Sequence, residues 1–137
     1  MVVNCRPYYT TDDIDRLKPM TDMKTWNTKK LKIFSDCYGS ESQNEQLMKR
    51  ILDSVIDTIN QTNGDICREE MTKVTCPTLV VHGGKDKTTP KSRADYIHEH
   101  IPHSELVVFD EAGHSLHLSC ADRFNATMEK FLNGFLI

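Results

Sequence analysis

This 137-residue sequence has no long apolar run, no basic stripe and no closely paired cysteines. No stretch approaches the roughly 18 consecutive apolar residues of a membrane span, and the first residues lack the charged and apolar regions of a signal peptide. We therefore expect no membrane partner. Lysine and arginine are scattered and the net charge is -3, so no basic surface is available to neutralise phosphates, and nucleic acid is not expected as a partner either.

The cysteines are odd in number, widely spaced and without a CxxC pair. They are Cys5, Cys37, Cys67, Cys76 and Cys120. This usage predicts reduced thiols and an intracellular compartment. Two glycosylation sequons, at Asn60 and Asn125, fall within or at the end of predicted helices, and we expect both to stay unmodified.

Hydrophobic residues make up 38% of the chain and charged residues 27%, which is typical of a globular domain with one core. Val2-Val3-Asn4 resembles the end of a strand. We expect residues 1–10 to be the remnant of a sheet whose earlier strands precede them, which would leave an exposed edge open to self-association or to a partner.

Residues 11–75 are predicted to form a helical region. Short helices are expected around Asp12–Leu17 and Trp26–Tyr38, and a long one from Asn44 to Thr62, where Asn63-Gly64 stops it. The long helix carries an apolar stripe with helical spacing. Its members are Leu47, Ile51, Val55 and Ile59, widened by Met48, Leu52 and Ile56.

Residues 76–137 alternate between strand and helix. The runs TLVVH and LVVFD predict strands buried on both faces. Between them, Thr89 as N-cap and Pro90 as first residue open a helix that Pro102 ends. Ser119 and Asp122 predict a capping box before a last helix, whose apolar stripe is Phe124, Met128, Phe131, Leu132 and Phe135. This order predicts parallel strands in an α/β fold.

Two ionisable residues follow the two predicted strands. Asp86 comes after TLVVH and His114 after LVVFD. Since the carboxyl ends of parallel strands share one rim of a sheet, we expect these side chains to meet. Each residue alone would be an ordinary loop residue, but a carboxylate that orients an imidazole is the acid–base half of a catalytic triad.

The segments around this pair carry a family resemblance. CPTLVVHGGKD, followed by a helix, a strand and GHSLHL, resembles the closing segment of α/β-hydrolases. Within that family, GDICREEMTKVTCPTLVVHGGKD, ADYIHEHIP and HSLHLSCADRFN are similar to valacyclovir hydrolase-like esterases, and the polar first half is more loosely similar to their cap. The resemblance implies a partial α/β-hydrolase fold with a helical cap. It also implies that Asp86 is the triad acid, that His114 is the base, and that the substrates are small α-amino-acid esters.

The sequence departs from this family in lacking the GxSxG pattern that presents the nucleophilic serine. The string Gly39-Ser40-Glu41-Ser42 lacks the second glycine and a preceding apolar strand, and it is interpreted as an exposed loop. The oxyanion donors and the family's amine-binding acidic residue have no counterpart. We therefore expect an acid–base fragment that is inactive alone. The alternatives are a binding or regulatory module and a half-enzyme completed by a second chain.

Other candidate residues favour ordinary structural roles. His98 and His100 are two apart on a helix and face different directions, so with His103 they predict a solvated helix end. His117 is assigned to packing or pocket lining. Cys37 and Cys120 neither follow a strand nor lie at a helix N-terminus with a basic partner, so they are expected to be buried structural thiols. No metal or cofactor is expected, and whether the chain is itself an enzyme stays open.

Overall fold

The computed structural model describes residues 1–135 and divides into two compact units. One, the strand unit, consists of Met1–Pro7 and the chain from Cys67 onward, and the other, the helical unit, is Tyr8–Ile66. No helix among the described residues is both long and apolar enough to cross a bilayer. The predicted segmentation by role into residues 1–10, 11–75 and 76–137 stays a prediction.

The strand unit contains a three-stranded parallel sheet in the order β1-β2-β3. Its strands are β1 (Val2–Val3), β2 (Thr78–Gly83) and β3 (Ser104–Phe109). The helix α4 (Lys91–His100) connects β2 to β3. The parallel α/β arrangement predicted from the strand–helix alternation is confirmed, because the crossover helix returns the chain in the same direction.

The central strand β2 is buried on both faces, as its unbroken apolar run predicts. Alternate residues of a strand point to opposite faces, and two hydrophobic clusters form accordingly. On one face Val80 packs with Met71, Ala94, Ile97 and Ile101. On the other face Leu79 and Val81 pack with Phe109, Ala112 and Leu116.

Strand β3 differs from the prediction of a fully buried strand. Only Phe109 is buried, and the residues before it are partly or fully exposed. Within the described sheet β3 has a neighbour on one side alone, which explains the lower burial.

The helix boundaries in the strand unit also correct the sequence analysis. The N-cap of α4 is Pro90 and not Thr89. Ser119 is the last residue of a short helix, α5 (Leu116–Ser119). The next helix, α6 (Ala121–Asn133), begins after Cys120 and has no hydrogen bond from a capping side chain. The predicted Ser119–Asp122 capping box is therefore wrong. Local spacing could not show that Ser119 would end one helix instead of opening the next.

The apolar stripe of α6 is only partly buried. Phe124, Met128 and Phe131 pack against the cluster around Leu79 and Val81. Leu132 and Phe135, which the spacing placed on the same stripe, are half exposed. The contact face thus covers the first three turns and leaves the last turn outside.

The helical unit contains α1 (Thr11–Thr21), α2 (Thr28–Tyr38) and α3 (Glu41–Thr62), with a 3-10 turn at Met23–Thr25. Gly39 ends α2 with φ 98°, and Asn63 ends α3 in the left-handed helical conformation with φ 51°; both residue types tolerate a positive φ.

The buried face of α3 is centred differently from the predicted stripe. Met48 and Val55 are buried, whereas Ile51 is 43% exposed. Asn44, one turn before Met48, is fully buried and donates to the carbonyl of Gly39 at 3.2 Å. The strict four-residue spacing named the wrong centre, because a helix turns every 3.6 residues.

Candidate active site

The loops that leave β2 and β3 lie against each other at one rim of the sheet. The N–H of Gly84 donates to the carbonyl of Phe109 at 2.9 Å, and that of Lys85 donates to the carbonyl of Ala112 at 2.9 Å. A Cβ added at Gly83 would overlap the carbonyl oxygen of Ala112. Glycine is therefore required at this crossing, because the two backbones approach too closely for a side chain.

The Asp86 carboxylate is fully buried at this rim and is held by its own loop. Its Oδ1 accepts hydrogen bonds from the backbone N–H groups of Thr88 at 2.7 Å and Thr89 at 3.0 Å. This is the local bonding that aspartate makes in turns. One oxygen thus fixes the side chain, and the other points away from the loop.

His114 forms a hydrogen bond with that second oxygen. Its Nδ1 lies 2.8 Å from Asp86 Oδ2, and its side chain is 49% exposed. Because an ionised carboxylate only accepts hydrogen bonds, the contact assigns the proton to Nδ1 and leaves Nε2 able to take another. The structure thus brings together the two side chains that the strand order predicts to meet, and their catalytic role stays a prediction.

A surface ion pair joins the same two loops. The Lys85 ammonium contacts the Glu111 carboxylate, and both side chains are largely exposed. Exposed pairs of this kind contribute little to stability. The close backbone packing around Gly83 and Gly84 is therefore the stronger constraint on where Asp86 and His114 lie.

Sequence analysis missed His82, which lies in β2 on the face of Val80. The residue is 1% exposed, and its Nδ1 has no hydrogen-bond partner among the described residues. Burial lowers the pKa of His82, opposed by the negative charges of Asp86 and Asp95. The signal was available, since a histidine within a fully buried apolar run must be kept neutral or paired.

The serines weighed as nucleophiles lie in the helical unit. Ser40 is the N-cap of α3, where its backbone N–H donates to Gln43 Oε1 at 2.8 Å and its hydroxyl accepts from the Gln43 N–H at 3.4 Å. Ser42 is an exposed residue of the first turn. A helix N-cap preceded by another helix is not a strand-to-helix elbow, so neither serine has the setting of the family's nucleophile.

A closer match to the serine pattern was overlooked at the site itself. Gly113-His114-Ser115-Leu116-His117 has the first glycine and the serine of GxSxG, but His117 replaces the second glycine. Ser115 precedes α5 and is exposed. It immediately follows the candidate base in the chain, so it does not stand on a separate strand-to-helix turn facing that base.

Three of the remaining histidines have local partners. His117 is exposed and touches the Phe124 ring edge-on at 6.3 Å. His98 Nδ1 lies 2.9 Å from Ser104 Oγ, and the His100 ring stacks on Tyr96 with centroids 3.8 Å apart. His103 has φ 60° just before β3.

Two statements about cysteines are corrected. Cys37 is exposed and not buried. Cys120, one residue after the predicted cap, is the N-cap of α6, and it packs partly buried against the cluster around Leu79 and Val81.

A cleft of about 360 Å³ lies elsewhere in the strand unit. Its lining includes Leu79 and Glu105, near the starts of β2 and β3. Asp86 and His114 follow the opposite ends of these strands, so this cleft is separate from the candidate site.

Comparison with known proteins identifies the family to which this chain belongs. The model of the alpha/beta hydrolase fold family matches residues 8–119. The chain therefore belongs to the α/β-hydrolase family, and its three parallel strands and their helices are part of that fold.

Individual relatives show which members of the family the chain resembles. The chain is 35% identical to the human serine hydrolase BPHL over 129 residues, covering 91% of this chain and 43% of that protein. This confirms the similarity to valacyclovir hydrolase-like enzymes. It is 40% identical over 67 residues to a pimeloyl-[acyl-carrier protein] methyl ester esterase of Neisseria meningitidis, covering 49% of this chain and 26% of that one.

A solved structure of an esterase is also similar to this chain. The esterase EaEST from Exiguobacterium antarcticum superposes with a TM-score of 0.53 and 29% identity, covering 90% of this chain and 48% of the esterase. The chain thus spans less than half the length of these relatives.

Proposed function

We propose that these 137 residues are the acid–base portion of a serine ester hydrolase, in which Asp86 orients His114 and the nucleophilic serine comes from residues outside this stretch. The observation that carries the proposal is the 2.8 Å contact between Asp86 Oδ2 and His114 Nδ1 at the shared rim of β2 and β3. The family membership and the names of two relatives, a serine hydrolase and a methyl ester esterase, support ester hydrolysis as the reaction.

In this proposal His114 Nε2 takes the serine proton as the serine oxygen attacks the ester carbonyl. The same nitrogen then gives the proton to the departing alcohol, and a water repeats the cycle on the acyl-enzyme. Asp86 stabilises the imidazolium while its other oxygen stays bound to the Thr88 and Thr89 N–H groups. The substrate class that we propose is small α-amino-acid esters, by similarity to valacyclovir hydrolase-like enzymes.

The test is reconstitution in trans. The 137-residue chain is co-expressed with the serine-bearing amino-terminal portion of the human relative, and hydrolysis of phenylalanine methyl ester is measured. The same ester without its amine, methyl 3-phenylpropanoate, tests the substrate class. We expect activity only with both chains, preference for the amino ester, and a loss of about 10⁴-fold or more in kcat with Asp86→Asn or His114→Ala.

His103→Ala is the matched control, since His103 lies outside the site, and we expect it to retain activity. Labelling by a fluorophosphonate probe reports where the nucleophile is: we expect none on the 137-residue chain alone. Labelling of Ser40, Ser42 or Ser115 in the isolated chain would contradict the proposal. Reconstituted activity that survives His114→Ala would also contradict it. A specific protein partner captured by a chain that never reconstitutes would favour the binding module.

We also propose an intracellular location, mitochondrial or cytoplasmic. The support is the family similarity and the five free cysteines among the described residues, of which Cys5, Cys37 and Cys76 are exposed. Exposed free thiols are uncommon in oxidising compartments. Subcellular fractionation that recovers the protein only from the secretory pathway would refute this location.

A further inference from the structure

The segment that follows β1 contacts both loops of the candidate site. Asn4 is 8% exposed and has a left-handed backbone with φ 45°. Its N–H continues the sheet by donating to the carbonyl of Val81 at 3.0 Å. A buried non-glycine residue in this conformation carries backbone strain that the surrounding contacts must offset.

The Asn4 side chain supplies such contacts, and they reach both strand ends. Its Oδ1 accepts from the N–H of Gly83 at 3.0 Å, and its Nδ2 donates to the backbone carbonyl of His114. Donor and acceptor of one amide are thereby satisfied at the end of β2 and in the loop after β3, 79 and 110 positions away in sequence. The amide fixes the position of the His114 backbone relative to the end of β2.

Arg6, two residues after Asn4, contacts the loop that contains Asp86. Its guanidinium donates to the carbonyl of Thr88 at 2.8 Å and to the hydroxyl of Thr89 at 2.9 Å. These are the two residues whose N–H groups hold Asp86 Oδ1. Thr89 is almost completely buried, so the guanidinium replaces water as the partner of this loop.

We propose that Asn4 and Arg6 are positioning residues that set the Asp86–His114 contact, Asn4 through the backbone of the base and Arg6 through the turn that holds the acid. The inference depends on the proposed function only for the role of the Asp86–His114 contact in catalysis. The contacts made by Asn4 and Arg6 support that pair whether or not it is catalytic. A hydrogen bond weakens steeply as its angle and length depart from the optimum. Loss of either support therefore lets the imidazole ring leave Asp86 and sample its other tautomer.

The experiment reads the tautomer of His114 from the ¹⁵N spectra of its ring in the 137-residue chain, at a pH where the ring is neutral. In the unsubstituted chain we expect the Nδ1–H form alone, because Asp86 accepts that proton. Asn4→Gly removes the bridging amide while glycine tolerates the left-handed backbone. We expect it to lose the exclusive Nδ1–H signal and give a mixture of both tautomers.

Asn63→Gly is the matched control, because Asn63 has almost the same backbone angle, φ 51°, at the end of α3 in the helical unit. We expect it to leave the His114 tautomer unchanged. Arg6→Met is the second variant and keeps most of the apolar stem. We expect it to give the same mixture of tautomers as Asn4→Gly, and it decides the matter if Asn4→Gly does not unfold cooperatively in urea.

Exclusive Nδ1–H signals in a cooperatively unfolding Asn4→Gly chain would overturn the proposal for Asn4, and the same result for Arg6→Met would overturn it for Arg6. An Nε2–H ring in the unsubstituted chain would overturn both. The readout needs no substrate and no second chain. A tautomer change in the variants together with failed reconstitution would therefore refute the esterase proposal and leave the positioning roles intact.

Discussion

The Asp86 and His114 side chains are in contact but differ in solvent exposure. The carboxylate is buried and accepts three hydrogen bonds, whereas the imidazole is half exposed. A general base must reach a substrate or nucleophile, while the residue that orients it need not. The distribution of burial within the pair therefore matches the roles proposed for the two side chains.

His82 gives a prediction about pH at the same scale. Because burial lowers the pKa of His82 in the folded chain, the unfolded chain binds a proton first as the pH falls. This histidine therefore leaves stability intact above the unfolded pKa of about 6.5 and diminishes it progressively below that pH. We expect the urea midpoint to fall between pH 7.5 and pH 5, and to fall less in His82→Phe.

His103→Gln is the control for this measurement, since it removes a histidine that lies outside β2. It should keep the pH dependence of the unsubstituted chain. An equal dependence in the His82→Phe variant would show that other groups cause it.

At the scale of secondary-structure elements, the crossing of the loops after β2 and β3 depends on two glycines. Gly83 faces the carbonyl oxygens of Ala112 and Gly113, and Gly84 faces the backbone of Asp110. Neither glycine has a positive φ. Close approach of two backbones is the reason for glycine here.

Substitution of Gly83 by alanine tests this reading. The added methyl group would overlap the backbone of the following loop, so we expect a loss of about 1–3 kcal/mol in the free energy of unfolding by urea. Gly113→Ala is the matched control in the same crossing. Its added Cβ would meet only the Lys85 carbonyl at 3.9 Å, and we expect no loss. Equal destabilisation by both changes would show that overlap at Gly83 is not the cause, since a Gly→Ala change without overlap restricts the unfolded chain and does not destabilise the fold.

The helix ends show what local patterns can decide. Gly39 and Asn63 end α2 and α3 where the sequence predicts, because a cap with positive φ depends on one residue type and its own backbone angles. The start of α6 was misplaced, because Ser119 is taken up by α5. Leu116, the first residue of α5, is buried in the core, which local spacing around Ser119 does not encode.

At the scale of the whole molecule, the described sheet ends at β1 and β3, each with one neighbouring strand. Unpaired strand edges offer backbone donors and acceptors to other chains. We expect the isolated 137-residue chain to self-associate with rising concentration, measured by light scattering after size-exclusion chromatography. Leu118→Glu removes a leucine that is 74% exposed and separates apolar association from edge pairing.

If Leu118→Glu abolishes association, an apolar surface and not the sheet edge causes it. A chain that stays monomeric at all concentrations and unfolds cooperatively would contradict the expectation outright. Adding the serine-bearing portion of the human relative should suppress self-association, if that portion covers the same edge.

The sequence by itself determined the parallel α/β order, the buried run of β2 and the two residues that meet at its rim. These follow from the alternation of strands and helices and from the rule that parallel strands end on one side. Only the tertiary structure revealed Asn4 and Arg6, because their partners lie far away in sequence. Hydrogen bonds between distant residues depend on the finished packing, which no local periodicity encodes.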